Sequence, residues 1–396
     1  MNNSTDPLSE SAQHPPTATG PASLSVVLAG GGSAGHVNPL LATADVLRAL
    51  VPDVRITVLG TEEGLEARLV PERGYDLRFL PKVPFPRRPN AAALKFPGSM
   101  RAAITTATDV LREVGADVVV GFGGYVATPA YLAARRTKTP LVIHEGNARP
   151  GLANRLGARF TEHVATTFAS TPLRGAEVIG LPMRAEITDL DRGALRGEAL
   201  EHFGLRGDRT TLLVFGGSLG AQRLNDSFPA AAPDLRAAGV QVLHLTGAGK
   251  PVHVEPDEQC PYVARDYTDR MDLAYAVAEL AVGRAGAGTV CELTAVGVPA
   301  IYVPLPIGNG EQRLNAQDVV AAGGGILVDD GDVTPQWVRE SVLPLLADRD
   351  RLALMADEAA VMGNRDAAEV LATMVLAAAG HDAGAAGGAP TGSPTA

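Results

Sequence analysis

The sequence predicts an α/β protein made of two doubly wound parallel-sheet domains that face each other across a cleft. Short apolar runs alternate with helical stretches along the chain, the pattern of parallel strands joined by helices. The plan of strand, glycine-rich turn and helix starts at residue 24 and restarts at residue 211. Hydrophobic residues make up 46% of the 396, aromatics only 4%, with 44 glycines, a balance that suits close helix–sheet packing better than a β-sandwich.

The elements follow in order. Residues 1–22 are rich in Ser, Thr, Pro and Ala without periodicity, and 381–396 form a Gly/Ala/Pro/Thr tail; both are expected to be disordered. Residues 24–29 read as a buried strand that enters Gly30 to Gly35, and His36 to Pro39 open a helix running to Leu50. Such a turn lets backbone N–H groups approach an anion at a helix start. Further strands are expected at 55–59, 76–80, 117–120, 141–144, 164–167 and 178–179. A proline-containing connector at 180–184 and a polar helical stretch at 189–209 lead to the second series, at 211–215, 241–246, 262–264, 280–282, 300–303 and 326–328. This gives one Rossmann-like domain over residues 23–182 and another over 183–364. Ligands of such sheets bind beyond the carboxyl ends of the strands, where every glycine-rich turn falls.

Composition excludes several classes. A formal charge of −10 argues against nucleic acid as a partner. Cys260 and Cys291 are too few for a disulfide framework or a four-cysteine zinc site. The first basic residue is Arg48, so no signal peptide is expected. No apolar run approaches the about 18 residues of a membrane-spanning helix, so any membrane contact is expected to be peripheral.

The first loop matches G-x-G-x-x-G at Gly30, Gly32 and Gly35. A dinucleotide site would need an acidic residue ending the second strand. That strand ends in Leu59, Gly60 and Thr61, with Glu62 only beyond, so an NAD(P)-binding module is the minor alternative. His36 sits where a helix dipole keeps an imidazole neutral, which suits a general base or a neutral donor; the alternative is a satisfied structural histidine. The second loop, 215–221, forms another anion cradle to which Ser218 adds a hydroxyl; the alternative is a turn needed for packing. His144, Glu145 and Asn147 end a strand and either face the cleft or cap it. Glu292 lies in the second turn of the helix after Gly288, near the cleft, where a carboxylate can accept both hydroxyls of a ribose; the alternative is a solvated helix face. Glu311, Gln312 and Asn315 open another helix with the polar groups that sugars need. No metal-ligand cluster and no D-x-D pair at a strand end is seen, and Asp329–Asp330 reads as a turn. Residues 80–101 interleave Phe85, Leu94, Phe96 and Met100 with Lys82, Arg87, Arg88, Lys95 and Arg101, which suits an anionic lipid surface or else a solvated proline-rich loop. Arg135, Arg136 and Lys138 form a second basic cluster in the same half.

The motifs GGSAGH (31–36), GFGGY (121–125), HEGN (144–147), GLPMR (180–184), GGSLGA (216–221), RAGAGTVCE (284–292) and EQRLNA (311–316), in this order, resemble the bacterial MurG family. The resemblance covers about residues 23–380. It implies a GT-B fold whose last helix, within about 365–380, crosses back to the first domain. It implies an inverting, metal-independent transferase without a cofactor, moving GlcNAc from UDP-GlcNAc to the C4 hydroxyl of the muramyl sugar of lipid I. The product is lipid II, for peptidoglycan synthesis. The rivals are another GT-B enzyme and a UDP-GlcNAc 2-epimerase. Carried over by motif, Ser218 and Arg184 hold the UDP diphosphate and Glu292 the ribose, while Tyr267, Thr268 and Met271 surround uracil. Ala287, Glu311, Gln312 and Asn147 contact GlcNAc. Ser33, Ala34, Gly35 and His36 face the acceptor diphosphate, with Tyr125 on the acceptor side and His36 the candidate base. Phe85, Arg87, Arg88, Leu94, Lys95 and Phe96 match a membrane-facing patch. The implied location is the cytoplasmic face of the cell membrane, bound peripherally to anionic lipid, with cell-wall and division proteins as partners. The chain departs from the family's pattern at Leu181, Leu219 and Glu311.

Overall fold

The computed structural model describes residues 23–83, 91–217, 220–307 and 309–381, without the side chains of 91–94. The expected tails (the second from residue 382), Phe85, Arg87, Arg88, Ser218 and Leu219 therefore lie outside the described residues.

The first sheet contains β1 (Ser25–Gly30), β2 (Arg55–Gly60), β3 (Asp76–Phe79), β4 (Val118–Gly123), β5 (Leu141–Glu145), β6 (Val164–Thr166) and β7 (Glu177–Val178). Its order is β3-β2-β1-β4-β5-β6-β7, and the paired strands are parallel. The helices are α1 (Ala34–Leu50), α2 (Glu66–Glu72), α3 (Ala91–Glu113), α4 (Ala127–Thr137) and α5 (Leu152–Gly157). The chain winds outward from β1 to β3, then returns to lay β4 on the other side of β1. This reversal opens a crevice between the loops after β1 and β4, the GGSAGH and GFGGY motifs. Residues of β1 and β4 are fully buried, as near-continuous apolar runs in a doubly covered parallel sheet must be.

The second sheet repeats the plan. After α6 (Ala185–Thr188) and α7 (Arg192–Phe203) come β8 (Thr210–Phe215), β9 (Val240–Leu245), β10 (Tyr262–Arg265), β11 (Leu280–Gly283), β12 (Ala300–Tyr302) and β13 (Gly325–Leu327). The order β10-β9-β8-β11-β12-β13 places its reversal between β8 and β11. The helices are α8 (Gln222–Ala230), α9 (Ala232–Ala237), α10 (Met271–Val277), α11 (Ala287–Ala295), α12 (Glu311–Asn315), α13 (Gln317–Ala321), α14 (Pro335–Trp337), α15 (Leu343–Ala347) and α16 (Arg349–Met362). The final α17 (Ala367–Ala378) leaves α16, which packs on α11, and packs on α1 of the first domain. Its Leu371, Val375 and Leu376 join the core formed by Val26 and Leu28 of β1. The outgoing connector and the returning chain touch where Gly180, at φ +87°, would bring a Cβ within 2.9 Å of Asn364.

Two stretches differ from expectation. The polar region 189–209 is helical only over α7, because the Asp191 carboxylate caps Ala194 N–H at 3.0 Å and Gly204 terminates the helix in the left-handed region. Residues 91–101 open the helix α3, with Pro97 inside it, instead of forming a loop.

Candidate functional site

The first glycine loop is built around two side chains. His36 stands in the first turn of α1, half-buried, with Nδ1 3.2 Å from the Gly31 carbonyl oxygen and 3.2 Å from Ser33 Oγ. A carbonyl only accepts, so Nδ1 carries the proton and Nε2 keeps its lone pair. Nε2 lies 3.1 Å from where a Cβ of Gly123 would stand; the glycine, at φ +97°, makes room for the ring. The His36 pKa is lowered first by burial, while the Gly31 contact and the charge of Glu66 push it back up. Burial, ahead of the expected helix dipole, keeps this imidazole neutral. Ser33 and Gly35 are exposed and Ala34 half-buried at the same helix start, and Tyr125 is exposed after β4 with Lys82 Nζ 5.9 Å from its ring centre.

Beneath the loop lies a residue that the sequence did not single out. Glu66, from α2, is fully buried and accepts hydrogen bonds from Gly32 N–H (2.8 Å), Thr61 N–H (2.8 Å) and Thr61 Oγ1 (2.9 Å). The Gly32 N–H therefore already serves a protein carboxylate. Only the presence of three nearby glycines could have hinted at it.

The HEGN segment ends β5. His144 and Glu145 do not face the cleft; both are buried and hold structure. His144 Nε2 reaches the Gly180 carbonyl at 2.9 Å, and burial takes the imidazole pKa down to about 4. Glu145 gathers the loop by accepting from Asn147 N–H, Gly151 N–H and Asn154 Nδ2, each at 2.9 Å. Asn147 is thereby presented half-buried to the second domain. Asn315 of α12 meets it: Asn315 Oδ1 accepts from Ala148 N–H at 2.9 Å, and Nδ2 donates to Asn147 Oδ1 at 3.3 Å and to Ala285 O at 3.3 Å. Arg149 also donates to the Asn309 carbonyl across the cleft. Leu181 is buried, with Cδ1 3.5 Å from the position of a Gly146 Cβ, so this departure from the family pattern fills packing space.

In the second domain, Glu292 is half-buried on α11 and accepts from the buried Tyr275 hydroxyl of α10 at 2.7 Å. Burial raises the carboxyl pKa, while Tyr275 and the nearby positive Arg184 lower it. Arg184 precedes α6, half-buried, and its guanidinium makes no hydrogen bond or ion pair among the described residues. Thr268 is buried and its Oγ1 accepts from Arg270 N–H at 3.1 Å, leaving backbone groups to contact a ligand. Tyr267 is exposed and Met271 half-buried beside it. Ala287 is the first residue of α11. Glu311 and Gln312 open α12, half-buried; Gln312 Oε1 accepts from Leu305 N–H at 2.9 Å, which leaves its Nε2 free to donate. The Asp329–Asp330 turn is a 3-10 turn over Asp330–Asp332, anchored by an Arg284–Asp330 ion pair at 2.7 Å.

The second glycine loop is braced from β9. Gly220, at φ +65°, packs so close that a Cβ would stand 2.0 Å from the Thr246 carbonyl. Asn225 Nδ2 donates to that carbonyl at 2.9 Å, while its Oδ1 lies 3.1 Å from His244 Nε2. His244 Nδ1 is 2.8 Å from the Tyr262 hydroxyl, and burial takes its pKa down to about 3.

Thus His36, Ser33, Ala34 and Gly35 gather at the first reversal and Tyr125 at the loop beside it, while Asn147 meets the second domain at α12 and Arg184 lies by Glu292. On α3, Lys95 is exposed and Phe96 half-buried; Leu94 belongs to the same helix. Among the described residues there is no group of three or more His, Cys, Asp or Glu that could hold a metal ion, and no helix is long and apolar enough to cross a membrane.

Comparison with known proteins bears on this arrangement. Residues 26–166 match the glycosyltransferase family 28 N-terminal domain and residues 211–371 the glycosyltransferase family 28 C-terminal domain. A protein of Mycolicibacterium smegmatis named UDP-N-acetylglucosamine--N-acetylmuramyl-(pentapeptide) pyrophosphoryl-undecaprenol N-acetylglucosamine transferase is 58% identical, covering 89% of this chain and 94% of its own. One of the same name from Streptomyces avermitilis is 56% identical over 89% and 98%. The solved structure of MurG from Acinetobacter baumannii superposes with a TM-score of 0.72 at 27% identity, covering 89% of this chain and 99% of its own. A UDP-GlcNAc 2-epimerase from Neisseria meningitidis shares the fold alone, with a TM-score of 0.61 at 15% identity over 89% and 100%.

Proposed function

The chain belongs to the MurG family within glycosyltransferase family 28, and on that premise we propose that it transfers GlcNAc from UDP-GlcNAc to lipid I, with the two facing loop pairs of its GT-B fold as the acceptor and donor sites. The observation that supports the residue assignment best is the complementary preparation of the two halves. One half presents an imidazole whose Nε2 makes no hydrogen bond among the described residues, and the other a carboxylate with a nearby guanidinium, unpaired among the described residues.

Transfer with inversion breaks the bond between the anomeric carbon and the diphosphate as the acceptor C4 oxygen attacks from the opposite face. Negative charge grows on the leaving UDP and positive charge on the sugar. Arg184, Ser218 and the N–H groups of the second loop receive the diphosphate. Glu292 accepts from the ribose hydroxyls, and the backbone around Thr268, with Tyr267 and Met271, borders the uracil. Ala287, Gln312, Glu311 and Asn147 hold the GlcNAc, with Gln312 acting as a donor. His36 Nε2 takes the proton from the attacking hydroxyl. Ser33, Ala34, Gly35 and Tyr125 line the acceptor side, where N–H groups at the start of α1 favour a diphosphate. This chemistry needs no cofactor. Phe85, Arg87, Arg88, Leu94, Lys95 and Phe96 rest on the anionic cytoplasmic face of the membrane, where a lipid-linked acceptor is presented and cell-wall or division proteins are within reach.

The test is transfer of labelled GlcNAc onto a lipid I analogue. His36→Ala should lower kcat by about 10²-fold or more, with UDP-GlcNAc affinity nearly intact. Unchanged turnover removes His36 from the mechanism. Product formation without the acceptor points to the epimerase alternative.

A further inference from the structure

We propose that Glu66 is a positioning residue for His36: from beneath the first glycine loop it fixes the loop whose Gly31 carbonyl orients the imidazole. This rests on the reading of His36 as the base.

The geometry is specific. A Cβ added to Gly31, Gly60 or Gly64 would stand 2.4, 2.5 or 2.1 Å from a Glu66 side-chain atom. Three glycines from the β1 loop, the end of β2 and the following turn thus vacate the volume of one side chain, Gly31 and Gly64 around its carboxylate and Gly60 around its methylenes. The carboxylate is closed off from water, satisfied by Gly32 N–H and both donors of Thr61, and ion-paired to no cation among the described residues. A buried carboxylate of this kind is costly unless its donors are fixed. Its retention holds the Gly31–Gly32 peptide from below.

From above, Gly124, at φ +85°, lies so close that a Cβ would be 2.5 Å from the Gly31 oxygen. The Gly31 carbonyl is therefore clamped between Glu66 and Gly124, and it is the acceptor that sets the His36 tautomer. As the transfer proceeds, the ring becomes cationic at Nε2. A fixed negative charge behind the loop stabilises that cation without touching substrate. The charge of Glu66 acts on His36 in the direction that raises its pKa, against the burial that lowers it. Among the described residues, contacts link two further groups to this loop: Tyr125, two residues past Gly123, carries Lys82 over its ring with Lys82 paired to Glu63 at 3.0 Å, and Glu145 accepts from Asn154, whose Nδ2 lies 3.5 Å from the same Gly123 Cβ position that Nε2 approaches.

Glu66→Gln keeps the shape but turns a donor toward the Gly32 or Thr61 N–H and removes the charge. With labelled histidine, NMR should show the His36 pKa falling by about one unit, and the acid limb of the kcat–pH profile should move down with it. The plateau kcat should fall about threefold from the weaker base alone, and further as the loop that orients the ring loosens. The KM for UDP-GlcNAc, which binds the other domain, should stay within about twofold, and Glu66→Asp should recover part of the loss. A folded, UDP-binding Glu66→Gln protein with an unchanged His36 pKa overturns the proposal. A lowered pKa with unchanged kcat supports the action of Glu66 on His36 while removing His36 as the base. Should the variant not fold, the unmodified protein decides: the ring must carry its proton on Nδ1, and an Nε2–H tautomer overturns the proposal.

Discussion

The Glu292 carboxylate has a single hydrogen-bond donor among the described residues, the Tyr275 hydroxyl, and that contact creates a pH dependence. Burial raises the carboxyl pKa and Tyr275 opposes the rise. Glu292→Ala should weaken UDP binding by about ten- to a hundredfold, as expected for losing charge-assisted hydrogen bonds. Tyr275→Phe should leave affinity close to normal at pH 8 and lose it progressively toward pH 5, because the carboxylate protonates earlier. Calorimetric titration with UDP across that range checks both. The helices that carry His36 and Glu292 were legible in the sequence because a glycine turn before a helix announces its own position. Tyr275 and Glu66 were not. Each sits on a short helix, and its partner is fixed only by tertiary contact.

At the scale of elements, alternation of apolar runs with helices was enough to locate the strands, whose burial on both faces demands continuous apolar sequence. Their ends moved by a residue or more where glycines extend pairing, as in β4, which continues through Gly123. The chemistry is attached to loops whose exact path depends on such glycines. Gly220→Ala should cost about 1–3 kcal/mol, through left-handed strain and displacement of the Thr246 carbonyl. Chemical denaturation should show this loss, and UDP affinity should fall with it because the second loop is pushed off β9. Helix α3 was less legible, since Pro97 and the basic residues around it read as loop when taken without the packing of α3 on α4.

For the whole molecule, the polar supports beneath both loops make stability depend on pH. His244 has a folded pKa of about 3 against an ordinary value of 6.5, so the unfolded chain takes up a proton first as pH falls. Stability from this group is complete above pH 6.5 and declines below it by up to about 1.4 kcal/mol per pH unit. In His244→Gln, the fall of melting temperature between pH 6.5 and 4 should be shallower than in the unmodified protein. An equal slope means that His244 does not titrate on unfolding. The two-sheet plan was readable from the restart of the strand–turn–helix pattern. The bridging role of Asn315 was not, because it depends on two distant loops meeting.

The return of α17 to the first domain also sets a timetable for synthesis. Strand β1 leaves the ribosome long before Leu371, Val375 and Leu376, which cover its apolar face, are made. At ordinary elongation rates the interval is on the order of tens of seconds. Throughout it the nascent first domain carries an open hydrophobic face, while the second can assemble from contiguous chain. A tethered nascent chain whose emerged part ends between residues 362 and 367 should therefore display a completed donor domain beside an acceptor domain that chaperones still recognise.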